Sequence, residues 1–130
     1  HFSEHIDTFS SVISIFSIYT MPDLILWCKR IKKSFYGNML QQPDYYNITC
    51  LPVESKKMIV SKYKKFMYEN MDLLDEYEIK QMLKWLKYMN SVDNSHLLKQ
   101  FKDKQERLDK LREESFETVY PEYASWYKNI

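Results

Sequence analysis

The first patterned stretch of the chain runs from Thr8 to Tyr19, where β-branched and aromatic residues dominate and apolar positions alternate with serines. Alternation at every second residue is typical of a β-strand, and this stretch is apolar enough to be largely buried. The next residues predict a helix start, because Thr20 can cap it, Pro22 suits the first turn and Asp23 favours the positive helix end. Apolar residues at helical spacing predict that this helix continues to about Ile31.

A second strand is predicted from Phe35 to Leu40, with Gly37 inside it, and turn residues follow it. The order strand, helix, strand is normally a right-handed crossover between two parallel strands. Two strands do not make a stable parallel sheet alone, because such sheets are covered on both faces and this one would have open edges. Residues 1–42 are therefore interpreted as a strand–helix–strand unit that is the last piece of a larger α/β sheet.

Residues 43–130 have the pattern of a helical extension, with no internal repeat. Apolar residues recur there every three or four positions, which is typical of amphipathic helices. The predicted segments run from Pro52 to about Tyr68, from Tyr77 to Met89, from Leu97 to Leu111, and through a short turn that begins at Pro121. The expected fold class is α+β and mostly α, in one domain or in the C-terminal segment of a larger protein.

Composition excludes several functions. The 130 residues carry 19 basic and 18 acidic side chains, whereas a dedicated nucleic-acid binder needs surplus positive charge. A local lysine patch from Lys56 to Lys65 is offset by acidic neighbours, so no nucleic-acid partner is expected. The apolar stretch from Val12 to Ile18 is far shorter than the roughly 20 residues that span a bilayer, so no membrane partner is expected. A chain that opens on His1 without a signal peptide suggests a fragment or a processed protein.

Candidate chemistry is sparse. A single glycine argues against phosphate-cradling and dinucleotide-binding loops. Cys28 and Cys50 are too few for a disulfide scaffold or a four-ligand metal site, so two free thiols and, weakly, an intracellular location are expected. The three histidines suit surface or capping roles. We expect no catalytic residue and no metal ligand in this chain.

Two serines are the remaining candidates for a site. No Gly-x-Ser-x-Gly elbow surrounds them, so neither is expected to be a nucleophile. On a strand face near a cofactor, Ser14 and Ser17 would act as hydrogen-bond donors; the other interpretation is that they are polar residues on one side of a strand. Farther along, Asp109, Arg112 and Glu113 at a helix end are expected to pair with one another or to cap a neighbouring helix.

Three stretches in the same order resemble one family, the Twitch-type radical SAM proteins of bacteriophages. The first, Val12-Ile-Ser-Ile-Phe-Ser-Ile with Met21-Pro-Asp-Leu and Trp27, resembles a late barrel strand and its helix. The second, Pro43-Asp-Tyr-Tyr-Asn-Ile-Thr-Cys-Leu-Pro52, resembles their Pro-x-Tyr-x-x-Ile-x-x-Leu-Pro segment. The third, Leu108-Asp-Lys-Leu-Arg112 with Phe116 and Tyr120-Pro-Glu122, resembles their closing Asp-x-x-Arg … Phe-x-x-x-x-Pro-Glu pattern.

The resemblance implies a partial α/β barrel whose parent protein binds a [4Fe–4S] cluster and S-adenosylmethionine. The family holds its cluster in a Cys-x-x-x-Cys-x-x-Cys loop, which this chain lacks and which Cys28 and Cys50 do not match. The chain would then complete the barrel and cover the substrate side of an oxidoreductase or maturase, docked on an N-terminal domain. The alternative is a non-enzymatic helical interaction module, such as a phage virion or accessory protein. Either is expected in the host cytoplasm or with the virion.

Overall fold

A computed structural model of the chain describes residues 8–130. Strand β1 (Thr8–Ile13) and strand β2 (Ser34–Met39) form a two-stranded sheet, and helix α1 (Met21–Arg30) connects them. The strands run parallel, in a register that pairs Thr8 with Ser34 and Ile13 with Met39. The predicted strand–helix–strand unit is therefore confirmed, together with the mostly helical α+β class.

Five further α-helices follow in the described chain: α2 (Val53–Glu69), α3 (Glu76–Met89), α4 (Leu98–Arg112), and the short α5 (Phe116–Val119) and α6 (Ala124–Tyr127). Local chemistry sets their ends. Asp75 accepts a hydrogen bond from the Glu78 amide and the Glu78 side chain accepts one from the Asp75 amide, a capping box that begins α3. Glu113 ends α4 in the left-handed conformation, with φ of 55°.

The first strand is shorter than the predicted Thr8–Tyr19. It ends at Ile13, and residues 14–17 form a turn ahead of a 3₁₀ turn at Ile18–Thr20. The serines explain the difference, since the Ser14 amide donates to Ser17 Oγ and a short polar side chain that bonds nearby backbone competes with the strand ladder. Ser14 and Ser17 therefore lie in a turn and not on a strand face.

One face of the sheet packs on helices and the other does not. Phe9 of β1 contacts Trp27 of α1 edge to face, at 5.7 Å between ring centroids. Phe35 of β2 contacts Trp85 of α3 in the same geometry at 6.1 Å. Side chains alternate along a strand, so the opposite face carries the other residues of each strand. That open face includes Thr8, Ser10, Val12, Tyr36 and Asn38, all of which are exposed.

Sequence periodicity identified the helices but not every buried position on them. In α1 the buried positions include Ile25 and Cys28, whereas Trp27 is 46% exposed. In α3, Leu83 is one of the apolar residues at helical spacing but is half exposed, whereas Trp85 is 5% exposed. Tertiary packing explains the difference. Trp85 of α3 faces the sheet, and the neighbouring elements cover only part of the helix's other apolar residues.

The single glycine marks the closest approach of α3 to the sheet. A Cβ atom on Gly37 would lie 2.6 Å from Ile13 Cδ1 and 2.7 Å from Trp85 Cζ2, well inside van der Waals contact. Ile13 is fully buried and the Trp85 indole is nearly so, so neither has free space to move into. Glycine is thus required at this strand position because another residue's ring occupies the place of a side chain.

Gly37→Ala is expected to lower the free energy of unfolding by about 1–3 kcal/mol, because an extra methyl group in a filled core forces its neighbours off their rotamers. Chemical denaturation of this chain, followed by tryptophan fluorescence, measures the change. Asn38→Ala is the matched control, since Asn38 is the next residue of the same strand and is exposed; its effect is expected to stay within about 0.5 kcal/mol. Equal stability of the two variants would contradict the packing described.

Candidate functional site

The carboxyl ends of β1 and β2 lie at the same edge of the sheet, because the strands are parallel. Ligands of open α/β sheets bind outside this edge, so the segments that leave it are the place to look for a site. The turn at residues 14–17, here called the serine turn, follows β1. The segment that resembles the Pro-x-Tyr-x-x-Ile-x-x-Leu-Pro pattern follows β2. In both segments, polar side chains form hydrogen bonds with backbone groups of nearby residues.

The two candidate serines hold the turn together. Ser17 Oγ accepts from the Ser14 amide at 3.0 Å and donates to the Val12 carbonyl at 2.8 Å. Ser14 Oγ accepts from the Phe16 amide at 3.2 Å, and Ser14 is 6% exposed. The structure thus brings both hydroxyl groups to the carboxyl end of β1, where each already bonds to the backbone. Their geometry accounts for the shape of the turn, and the cofactor-binding role stays a prediction.

Asn47 organises the chain beyond β2. Its Nδ2 donates to the Leu40 carbonyl and to the Tyr88 hydroxyl, both at 2.8 Å. Its Oδ1 accepts from the backbone amide and from the hydroxyl of Thr49. Asn47 is 5% exposed and Thr49 is 2% exposed, so these bonds satisfy buried polar groups. One carboxamide therefore fastens the end of β2 both to its own loop and to α3.

An aromatic cleft of about 320 Å³ opens beside the serine turn. Its walls include Phe16, Tyr46, Phe116 and Tyr120, with Phe16 packed on Tyr46 at 4.9 Å and on Tyr120 at 5.5 Å between ring centroids. These four rings come from all three stretches that carry the family resemblance. Residues far apart in sequence thus meet at one place, at the carboxyl end of β1.

The rim of the aromatic cleft is polar. Gln105 donates to the Tyr46 hydroxyl, and Asp109 accepts from the Phe116 amide, which makes Asp109 the cap of α5. This capping was one of the two expected roles for Asp109. Arg112 is exposed beside Tyr120, whose pKa is raised by burial and by Glu122, although the Arg112 charge opposes that rise. The arrangement suits a flat or apolar group with a polar edge, and Gln105 and Asp109 on that edge already bond within the fold.

Both cysteines are buried free thiols. Cys50 Sγ donates to the Asp44 carbonyl at 3.2 Å, and burial, together with Asp44, raises the pKa of Cys50 to about 11. Burial likewise raises the pKa of Cys28. Thiolate is the metal-binding form, so both environments oppose ligation. Along residues 8–130, no three histidine, cysteine or acidic side chains are grouped so that they would hold a metal ion; His1 and His5 lie outside the described residues.

The lysine patch of α2 is partly engaged inside the fold. Lys56 is 6% exposed and donates to the Val92 carbonyl, and burial lowers its pKa. Lys62 lies over the Tyr19 ring at 3.8 Å and pairs with Asp23 at 3.2 Å. Both lysines therefore interact with other segments of the fold. In the part of the chain that the structure covers, no helix has the length and apolarity to cross a membrane.

Sequence reasoning missed the aromatic cleft and the Asn47 network. The sequence gives no reason to group the aromatic residues, because no spacing connects Phe16 with Phe116 along the chain. Asn47 was assigned only to a turn. The recurrence of both segments in the family resemblance was the one available signal, since each contributes residues that meet in space.

Two tyrosines fasten the serine turn to the helical extension. Tyr63 of α2 donates to the Ile18 carbonyl, and Tyr123 donates to the Ile15 carbonyl at 2.8 Å. Both rings are fully buried, and burial strongly raises the pKa of each hydroxyl. Tyr127 differs, because its buried hydroxyl has no hydrogen-bond partner among the described residues.

Tyr123→Phe is expected to destabilise the chain by about 1–3 kcal/mol, because it leaves the buried Ile15 carbonyl without a donor. Tyr127→Phe is the matched control: it removes an unpaired buried hydroxyl from the same segment, so stability should stay within about 0.5 kcal/mol or rise. Urea unfolding of both variants measures the difference. Equal losses would show that ring packing, and not the hydrogen bond, fastens the turn.

Comparison with known proteins identified no relationship for this chain: no family model, no curated protein and no solved structure matches it.

Proposed function

We propose that this chain is the last unit of a larger, partial α/β barrel, and that the parent protein is a radical SAM-like oxidoreductase or maturase. In this proposal the chain supplies the last strand–helix–strand unit and a helical cover for the substrate side. The cluster and S-adenosylmethionine are held by the part of the parent that carries the Cys-x-x-x-Cys-x-x-Cys loop. In this proposal the chain forms part of the wall of the substrate site, and the catalytic groups belong to the part with the cysteine loop.

The observation that carries the proposal is the open face of the sheet. Its members are Thr8, Ser10, Val12, Tyr36 and Asn38, while the opposite face is covered by α1 and α3. Parallel sheets occur almost only with both faces covered. In a barrel the helices lie outside and the other face points inward, so a sheet with described helices on one face only is what a barrel wall requires.

The outer edge of β1 is the second support. The Leu40 amide donates to the Ile13 carbonyl, so the backbone groups of Phe9, Ser11 and Ile13 point toward β2 in this register. The groups of Thr8, Ser10 and Val12 therefore point away from it, toward a further strand. Among residues 8–130, the Val12 carbonyl alone of these three accepts a hydrogen bond, from Ser17 Oγ. A neighbouring strand thus has room along most of this edge.

The helical interaction module remains the second candidate, because one apolar cluster favours it. Tyr68, Met71 and Leu73, where α2 ends and the following turn begins, are 79%, 63% and 54% exposed. Apolar side chains grouped in this way mark contact surfaces more often than scattered ones do. On this alternative the cluster binds another protein chain, and the sheet needs no further strands.

The whole translation product of the reading frame, expressed with this chain in place, tests the two candidates. Anaerobic reconstitution with iron and sulfide should give the visible absorbance of a [4Fe–4S] cluster, and calorimetry should show binding of S-adenosylmethionine. The Cys28→Ala, Cys50→Ala double variant is the control for ligation, and it should retain the cluster absorbance because these thiols are not ligands.

Two surface variants separate the candidates further. Val12→Arg places a charge on the open sheet face and should lower the thermal stability and cluster content of the whole product, while leaving this chain alone unchanged. Leu73→Arg is equally exposed in this chain and should leave the cluster unaffected. A whole product without a cluster, or one in which only Leu73→Arg disrupts assembly, would contradict the barrel and favour the interaction module.

A further inference from the structure

We propose that the groove between the outer edge of β2 and helix α3 binds an extended acidic peptide segment, which adds to the sheet as a third strand. The groove has a volume of about 590 Å³. It lies on the side of β2 away from β1, so it is separate from the edge that the barrel proposal uses.

The strand side of the groove offers free backbone groups. The register points the amide and carbonyl groups of Phe35, Gly37 and Met39 away from β1. Across residues 8–130 these outward groups have no hydrogen-bond partner in the protein. Unpaired groups at a sheet edge are the template on which an extended peptide adds by main-chain hydrogen bonds.

Helix α3 forms the other wall and runs in the same direction as β2. Near the start of the strand, Glu78 of α3 pairs with Lys29 at 3.0 Å. Midway, the Trp85 ring covers Gly37. At the far end the Tyr88 hydroxyl donates to Gln41 Oε1 at 3.1 Å, which closes the groove. The wall is therefore continuous alongside the strand, and it holds a segment of about the length of β2.

The positive charge of the groove favours an acidic peptide. Lys80 and Lys84 line it on the exposed side of α3, and within the described chain its lining includes no carboxylate. Four residues of helix separate the two lysines by about 6 Å along the axis. Alternate residues of a strand are separated by about 6.7 Å. Acidic side chains at positions i and i+2 of the added strand therefore match the two lysines.

One of these lysines already has a partner, Glu76, at 2.8 Å. Both members of that pair are more than 70% exposed, and exposed pairs four residues apart contribute little. A peptide carboxylate can replace Glu76 at small cost. The exposed rings of Tyr36 and Tyr77 flank the entrance and offer apolar contact to the remaining side chains. A polar strand edge, two cations and aromatic walls together fit a short acidic strand.

The test uses an eight-residue peptide of alternating valine and glutamate. Gly37 is the only glycine, so its amide gives an identifiable NMR signal on the very edge that would receive the peptide. Titration should shift the Gly37 amide, and raised salt should weaken the effect. Replacing both lysines, Lys80→Glu with Lys84→Glu, should weaken binding by about tenfold. The control double variant, Lys64→Glu with Lys65→Glu, makes the same charge change on the exposed side of α2 and should leave binding unchanged.

Two further peptides complete the experiment. Alternating valine and lysine should not bind, and an N-methylated form of the acidic peptide should lose binding because it cannot donate main-chain hydrogen bonds. A Gly37 amide that does not respond to the acidic peptide would overturn the proposal. So would binding that survives N-methylation, or that falls equally in both double variants, since either would indicate nonspecific charge attraction. If the Gly37 amide shifts instead with rising protein concentration alone, a second copy occupies the groove and the acidic-peptide assignment fails.

Discussion

The fold depends on the contact between Trp85 and Gly37. A tryptophan ring lies where a strand side chain would stand, which brings α3 against the same face of the sheet that α1 covers. With both helices on one face, the described part of the chain leaves the other face and both edges of the two strands uncovered. The helical extension then returns to the carboxyl end of β1, where Tyr63 and Tyr123 donate hydrogen bonds to the turn carbonyls. The open sheet face and the two free sheet edges follow from this one-sided packing.

Much of the fold could be predicted from the sequence, because its signals are local. The helix-start residues at Pro22 and Pro52, and the strand that holds Gly37, lie within a residue or two of the observed elements. The errors arose where individual hydrogen bonds and side-chain contacts determine the structure. Strand β1 ends early because Ser17 bonds back to the Val12 carbonyl, and the buried side of α3 is set by the space above Gly37. Periodicity carries neither kind of information.

The site was predictable only in part. Two polar groups of the aromatic cleft bond within the fold, since Asp109 accepts from the Phe116 amide and Gln105 bonds to Tyr46, while the expectation that the chain offers walls stays a prediction. The meeting of Phe16, Tyr46 and Phe116 could not be derived from spacing, since about 100 residues separate the first from the last. That rings from three family-like stretches line one cleft is a physical reason to treat these stretches as parts of one site.

The central claim is that the sheet takes a further strand at β1, and hydrogen exchange of the β1 amides tests it most directly. The amides of Ser11 and Ile13 point toward β2 and should be protected both in this chain and in the whole translation product. The amides of Ser10 and Val12 point outward, so they should exchange rapidly in this chain and become protected in the whole product. Outward amides that exchange equally fast in both would contradict the claim.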